Sequence, residues 1–142
     1  MDAQATADKV RDVMFADDAA SRMLGLRIAA IAPGRAVLTM TVRADMLNGF
    51  AICHGGLIAT LADSAFAFAC NSRNALTVAS GFGIDILKST KLNDVLTATA
   101  EEASLAGRTG VYDITVKNEH DELIAVFRGR SYRLGERKVF EA

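Results

Sequence analysis

A carboxylate, two glycines, an asparagine and a histidine between positions 48 and 63 are the residues best placed to do chemistry. Asp63 is the only carboxylate in the otherwise apolar run from Leu57 to Asn71. A charge there is costly unless it is hydrogen-bonded or faces a wet cleft, where it can serve as general base or nucleophile. The structural alternative is a carboxylate satisfied by Thr60 or by backbone at a subunit seam. Eight residues earlier, His54-Gly55-Gly56 sits where a loop feeds this run. First-turn N–H groups of a helix have no intrahelical acceptor and point along the positive end of its dipole. With no Cβ at Gly55, an electrophilic carbonyl can approach that N–H, which would then stabilise a developing oxyanion. The same glycines would equally allow a tight turn and close helix–sheet contact. Asn48 would hold a water or brace the turn around His54, or else serve as an Asx-turn residue without ligand contact. His54, Asp63 and Ser64 invite a triad, but adjacent helix residues point in different directions. His54 is therefore expected to cap or orient the helix start, with Ser64 lending a hydrogen bond near the site.

The elements that position these groups follow from periodicity. Asp2 to Leu26 reads as one helix, with Thr6 as a candidate cap and an end near Gly25, packing as a lid. After Pro33-Gly34, the alternation of Ala36, Leu38, Met40 and Val42 with polar or smaller neighbours predicts a strand. Ala44 to Cys53 has no period and reads as an ordered loop. Leu57 to Asn71 is apolar nearly all round, so other structure must wrap it. Strands are then expected at Leu76 to Leu87, Asp94 to Glu101, Val111 to Lys117 and Glu122 to Arg133, with turns at Gly107-Arg108 and Asn118 to Asp121. Beyond Leu134 the tail is expected to fray. One strand, one buried helix and four strands give an α+β domain whose antiparallel sheet curls around the central helix.

Composition narrows the partners. The 142 residues suit one compact domain, residues 1–142, and carry 16 Lys plus Arg against 17 Asp plus Glu, a formal charge of -1. That balance gives no whole-chain attraction to nucleic acid or an anionic membrane. Cys53 and Cys70 lack a CxxC partner or ligand cluster, so neither a disulfide scaffold nor a metal site is expected. Met1 to Lys9 carries two Asp and no apolar run, unlike a signal peptide, and no apolar stretch is long enough to span a bilayer. A soluble cytoplasmic protein is the expectation.

The run from Met46 through Asn48-Gly49-Phe50-Ala51 and His54-Gly55-Gly56 to Leu57, followed by Ala62-Asp63-Ser64-Ala65, resembles the hotdog-fold thioesterases of the phenylacetic-acid-degradation type, the hydroxyphenylacetyl-CoA thioesterases. The likeness continues through Thr77-Val78-Ala79-Ser80, Ile84-Asp85-Ile86-Leu87, Leu96 to Ala100, Thr109 to Tyr112 and Phe127 to Ser131, covering a core of roughly residues 20–133. Ala51 departs from the Gly that many relatives carry there, which bears on loop shape.

The resemblance implies hydrolysis of acyl-CoA, with aromatic or short-to-medium acyl groups, by a Gly55 N–H oxyanion donor and the Asp63 carboxylate, acting on water or directly on the thioester. Asn48 and His54 complete the implied catalytic set. Gly56, Ser64, Leu47, Phe50, Leu61 and Phe66 are the candidate acyl contacts, and Lys88, Lys91, Arg128 and Arg130 the candidate contacts for CoA phosphates. No cofactor is implied, since coenzyme A belongs to the substrate and product. Gly55 and Asp63 lie about 12 Å apart along one helix axis, too far to serve one carbonyl, so a homodimer with antiparallel central helices is expected. A tetramer is implied by the resemblance. Two alternatives stay open: a hotdog-fold acyl-thioester dehydratase or hydratase, and a non-catalytic acyl-CoA-binding protein.

Overall fold

The computed structural model describes residues 1–141. The N-terminal segment forms two helices instead of the single one expected, α1 (Ala3–Asp17) and α2 (Ala19–Met23). Asp18 breaks them apart: its backbone leaves helical space while its carboxylate accepts the Ser21 N–H at 3.0 Å and caps the second helix. The cap of α1 is Asp2, which accepts the Ala5 N–H at 2.7 Å. Thr6, the expected cap, lies inside the helix and donates its hydroxyl to the Asp2 carbonyl.

A strand missing from the sequence reading follows, β1 (Arg27–Ala32), which pairs with β2 (Arg35–Thr41) across the Pro33-Gly34 turn. The central helix is α3 (Gly55–Asn71), and after it come β3 (Thr77–Ile86), β4 (Val95–Ala106), β5 (Thr109–Lys117) and β6 (Leu123–Arg133). The six strands form one antiparallel sheet in the order β1-β2-β4-β5-β6-β3. The alternation read from sequence sets its inner face. Ala36, Leu38 and Met40 lie beside Leu96, Ala98 and Ala100, and then Tyr112, Ile114 and Val116, all buried. These side chains close around Ile58, Leu61, Ala65, Phe66, Phe68 and Ala69 of α3 in a single buried cluster. A curled antiparallel sheet around a buried helix, with α1 packed on β1 and α3, is the hotdog fold in the α+β class.

Close approach of helix to sheet depends on Gly129 of β6. A Cβ at that position would stand 2.7–2.9 Å from three ring carbons of Phe66, a fully buried side chain. Gly129→Ala is therefore expected to lower the unfolding free energy by about 1–3 kcal/mol, measured by urea denaturation, because the added methyl forces the Phe66 ring out of its packed position against β6. An unchanged midpoint would contradict this packing.

The tail is pinned instead of frayed. Asn74 and Phe140 exchange hydrogen bonds of 3.0 and 2.9 Å, Leu76 bonds the backbone at Leu134 and Arg137, and the Lys9 ammonium lies over the Phe140 ring. Among the described residues no helix is long and apolar enough to cross a membrane.

Candidate active site

The loop before α3 is shaped by three local devices. Asn48 Oδ1 accepts the N–H groups of Phe50 and Ile52, at 2.9 and 3.4 Å, which is an Asx turn. Leu47 and Cys53 bridge as an isolated antiparallel pair, closing the loop at its base. Ala51 takes a φ of 59°, the left-handed conformation that glycine adopts without strain, so the loop keeps a glycine-type turn although the residue is alanine.

His54 is the N-cap of α3, and its Nδ1 accepts the Gly56 N–H at 3.2 Å. The His54 carbonyl accepts from Leu57 and more distantly from Ile58. Gly55 is thereby left as the first-turn residue whose N–H makes no hydrogen bond among the described residues. It borders a crevice shared with Asn48, Ile52, Ile86 and Lys88, and a Cβ added to it would lie 2.8 Å from Ile86 Cδ1. An unpaired N–H at the positive end of a 17-residue helix can polarise a carbonyl placed against it.

Asp63 lies two turns further along α3, in a different cavity. This groove of about 480 Å³ is walled by Val13, Met14 and Asp17 of α1, by Phe66, Cys70 and Asn71 of α3, and by Thr77, Val78 and Ala79 of β3. Asp63 is half-buried and makes no hydrogen bond or ion pair among the described residues. Thr60, weighed as its partner, donates instead to the Gly56 carbonyl at 2.9 Å. Burial pushes the Asp63 carboxyl above its ordinary value, with no cation near enough to offset it. The nearby Cys70 thiol is pushed up to about 12, mainly by burial, so it stays protonated and is no nucleophile.

The remaining candidates divide. Phe66 lines the Asp63 groove, while Leu61 is fully buried in the core and Leu47 packs against the core's edge. Phe50 is 85% exposed at the loop tip, the largest exposure of any aromatic here. The Ser21 hydroxyl donates its one proton to Asp18 Oδ2 at 2.6 Å, so Ser64, 3.2 Å away, donates to Ser21 Oγ and ties α3 to α2. Lys88 borders the Gly55 crevice but is bound to Glu122 at 2.7 Å, and Arg128 holds Asp113 through two bonds of 2.7 and 2.9 Å. Lys91 and Arg130 make no ion pair among the described residues; the Arg130 guanidinium lies over Gly81. Residues absent from the sequence reading are the groove walls contributed by α1 and β3, and Ile86 beside Gly55. The apolar period of Val10 and Met14 signalled that α1 covers something, but not what.

Comparison with known proteins bears on the family and the fold. The thioesterase superfamily model matches residues 50–125, more than half of the chain. Acyl-coenzyme A thioesterase PaaI of Escherichia coli K12 is 48% identical over 122 residues, 86% of this chain and 87% of its own length. A putative esterase of Archaeoglobus fulgidus is 37% identical over 129 residues, 91% of this chain and 84% of its own. The solved structure of the E. coli PaaI protein, from the phenylacetic acid degradation operon, superposes with a TM-score of 0.93 at 43% identity, covering 96% of this chain and 99% of that one. A Streptococcus mutans protein solved with acetyl-CoA bound superposes with a TM-score of 0.76 at 28% identity, over 80% of this chain and 91% of its own. On fold, sequence and the matched segment around α3, the chain belongs to the thioesterase superfamily and is, within it, a hotdog-fold acyl-CoA thioesterase of the phenylacetic-acid-degradation type.

Proposed function

We propose that the chain hydrolyses compact aromatic or short-to-medium acyl-CoA thioesters at a site built from two subunits, with no metal or redox cofactor. One observation carries the reading: two unpaired groups, the Gly55 N–H and the Asp63 carboxylate, sit on one helix in separate clefts. The Gly55 N–H of one chain donates to the thioester carbonyl oxygen. The Asp63 carboxylate of the partner chain activates water, or attacks the carbonyl carbon itself and is then freed by water. In both cases the C–S bond breaks, the CoA thiolate leaves, and an acid and CoA result. Asn48 shapes the loop that presents the donor, and His54 caps the helix that carries it.

The alternatives opened by the sequence turn on the same residues. A dehydratase or hydratase would use a histidine as acid and base; His54 caps α3 through Nδ1, which accepts the Gly56 N–H, and thiol release is the observation that separates hydrolysis from that chemistry. A non-catalytic binder would have no use for a half-buried carboxylate left without a partner in the acyl groove.

The groove volume of about 480 Å³ suits an aryl or medium chain. Phenylacetyl-, hydroxyphenylacetyl-, benzoyl-, butyryl- and palmitoyl-CoA should therefore be compared by thiol release. The expected result is higher kcat/KM for the aromatic and short acyl groups than for palmitoyl-CoA. A preference for palmitoyl-CoA would overturn the substrate class, and loss of substrate without thiol release would point to hydration.

A further inference from the structure

A further recess, of about 190 Å³, lies where α3 ends against the β4–β5 hairpin, and its walls include Cys70, Arg73, Arg108, Tyr112, Ser131 and Arg133. Three guanidinium groups border it and no carboxylate lines it. Arg73 is neutralised by Glu102, through bonds of 3.2 and 2.9 Å. Among the described residues Arg108 and Arg133 make no ion pair, and Arg133 Nε is buried without a hydrogen-bond partner. Arg133 as a whole is half-buried, but its buried Nε–H is left unpaired, which is costly and indicates a partner from outside the chain.

The other polar groups of the recess suit the same partner. Ser131 is buried and its hydroxyl makes no hydrogen bond among the described residues. Burial, with the Glu102 charge adding to it, pushes the Tyr112 phenol up to about 12, so it remains a donor. The missing side chain at Gly110 lets Ser131 and Tyr112 take their places in the wall: a Cβ there would stand 2.7 Å from Ser131 Oγ and 3.1 Å from Tyr112 Cε1. We infer that this recess binds a compact oxyanion, a carboxylate or a phosphate group, held by Arg133 and Arg108 with the hydroxyls of Ser131 and Tyr112.

Two sources supply that chemistry. One is a free inorganic anion. The other, which rests on the function proposed above, is the far end of the acyl group itself. Cys70 and Thr77 line both this recess and the Asp63 groove. Cys70 lies seven residues beyond Asp63, about 10 Å along the helix axis. An acyl chain running from a thioester at Asp63 toward Cys70 would bring a distal carboxylate to the recess.

Titration calorimetry with sodium phosphate at constant ionic strength, on the full chain and on Arg133→Gln, tests the recess without any turnover. Saturable binding to the parent that weakens about tenfold or more in R133Q is the expected result. Arg108→Ala, at an exposed position on the rim, is expected to weaken phosphate as well and serves if R133Q fails to fold. The ratio of kcat/KM for suberoyl-CoA over octanoyl-CoA then separates the sources. A fall of about tenfold in R133Q or R108A assigns the recess to a distal acyl carboxylate, whereas an unchanged ratio with phosphate binding intact in the parent assigns it to a free anion. Phosphate binding that is absent, or equal in all three proteins, together with an unchanged ratio overturns the site. If neither acyl-CoA is hydrolysed, the proposed function fails while the phosphate titration still decides the recess.

Discussion

Asp63→Asn is expected to yield a folded protein whose kcat on acyl-CoA is lower by about 10²–10⁴-fold, the usual contribution of a positioned proton-transfer group. The substitution is nearly isosteric and breaks no hydrogen bond among the described residues, so no loss of structure competes with the loss of chemistry. Two further readouts tie the effect to this carboxylate. Because burial raises the folded-state pKa of Asp63, the acid limb of kcat/KM in the parent should lie above the ordinary carboxylate range, and D63N should lack it. Stability should respond in the opposite sense to activity. Between the unfolded and folded pKa values the folded state holds more protons, so stability falls as pH rises through that window. Below the unfolded value the penalty of the buried charge is absent, and above the folded value it is present in full. The amide carries no such penalty. D63N should therefore melt higher than the parent at neutral pH, with the gap closing toward acid. A folded D63N protein with near-parental kcat would remove Asp63 from the chemistry.

The inner face of the sheet was legible because burial on one side writes a period of two, as at Ala36, Leu38 and Met40 or at Tyr112, Ile114 and Val116. Where that condition fails, so did the reading. β1 is an edge strand exposed along most of its length, with an irregular register between Ile28 and Ala30, and Ile28-Ala29-Ala30-Ile31 therefore shows no alternation. The break at Asp18 was hidden because the flanking residues are good helix formers and the decisive contact, Asp18 to Ser21, looks like any helical spacing. The docking of the tail depends on Asn74 meeting Phe140 across 66 residues, which no local pattern records.

For the site, residue type carried most of what was legible. A lone Asp in an apolar helix and two Gly at its start stand out by cost and by backbone freedom alone; among the described residues Asp63 and the first of the glycines, Gly55, are unpaired groups facing clefts, while Gly56 is bonded to His54. The basic residues were harder, since their partners come from strand register. Arg128 lies opposite Asp113 in the β5–β6 ladder, and Lys88 reaches Glu122 at the start of β6. Charge in the sequence cannot distinguish such pairs from cations free to meet a phosphate. Phe50 illustrates the converse: it reads as a candidate pocket wall but stands exposed at the loop tip, because the Asx turn at Asn48 aims that part of the loop into solvent.

Mixing two inactive variants, D63N and Gly55→Pro, under conditions that allow subunit exchange is expected to restore activity. The prolyl substitution deletes the N–H at a helix position that tolerates proline, so α3 should persist while the donor is lost. In the mixed dimer one site combines Gly55 of the first variant with Asp63 of the second, and the other site carries both defects. The structure supports this arrangement along β3. That strand is an edge of the sheet, with Phe82 and Ile86 exposed at 46% and 45%, an apolar edge that a partner strand would cover. Gly55 lies against Ile86 at one end of β3, and the Asp63 groove is walled by Thr77, Val78 and Ala79 at the other. If two copies pair antiparallel about a two-fold axis near Phe82, the Ile86 end of each strand meets the Thr77–Ala79 end of the other. The Gly55 donor of each chain is thereby carried toward the partner's Asp63. The recovered activity should approach half of the parental value per mixed dimer, because one of two sites is intact. Native mass spectrometry can establish that mixed dimers form, and circular dichroism that both variants fold. With both conditions met, the absence of recovered thiol release would show that no site combines the donor of one chain with the carboxylate of the other and overturn the shared arrangement.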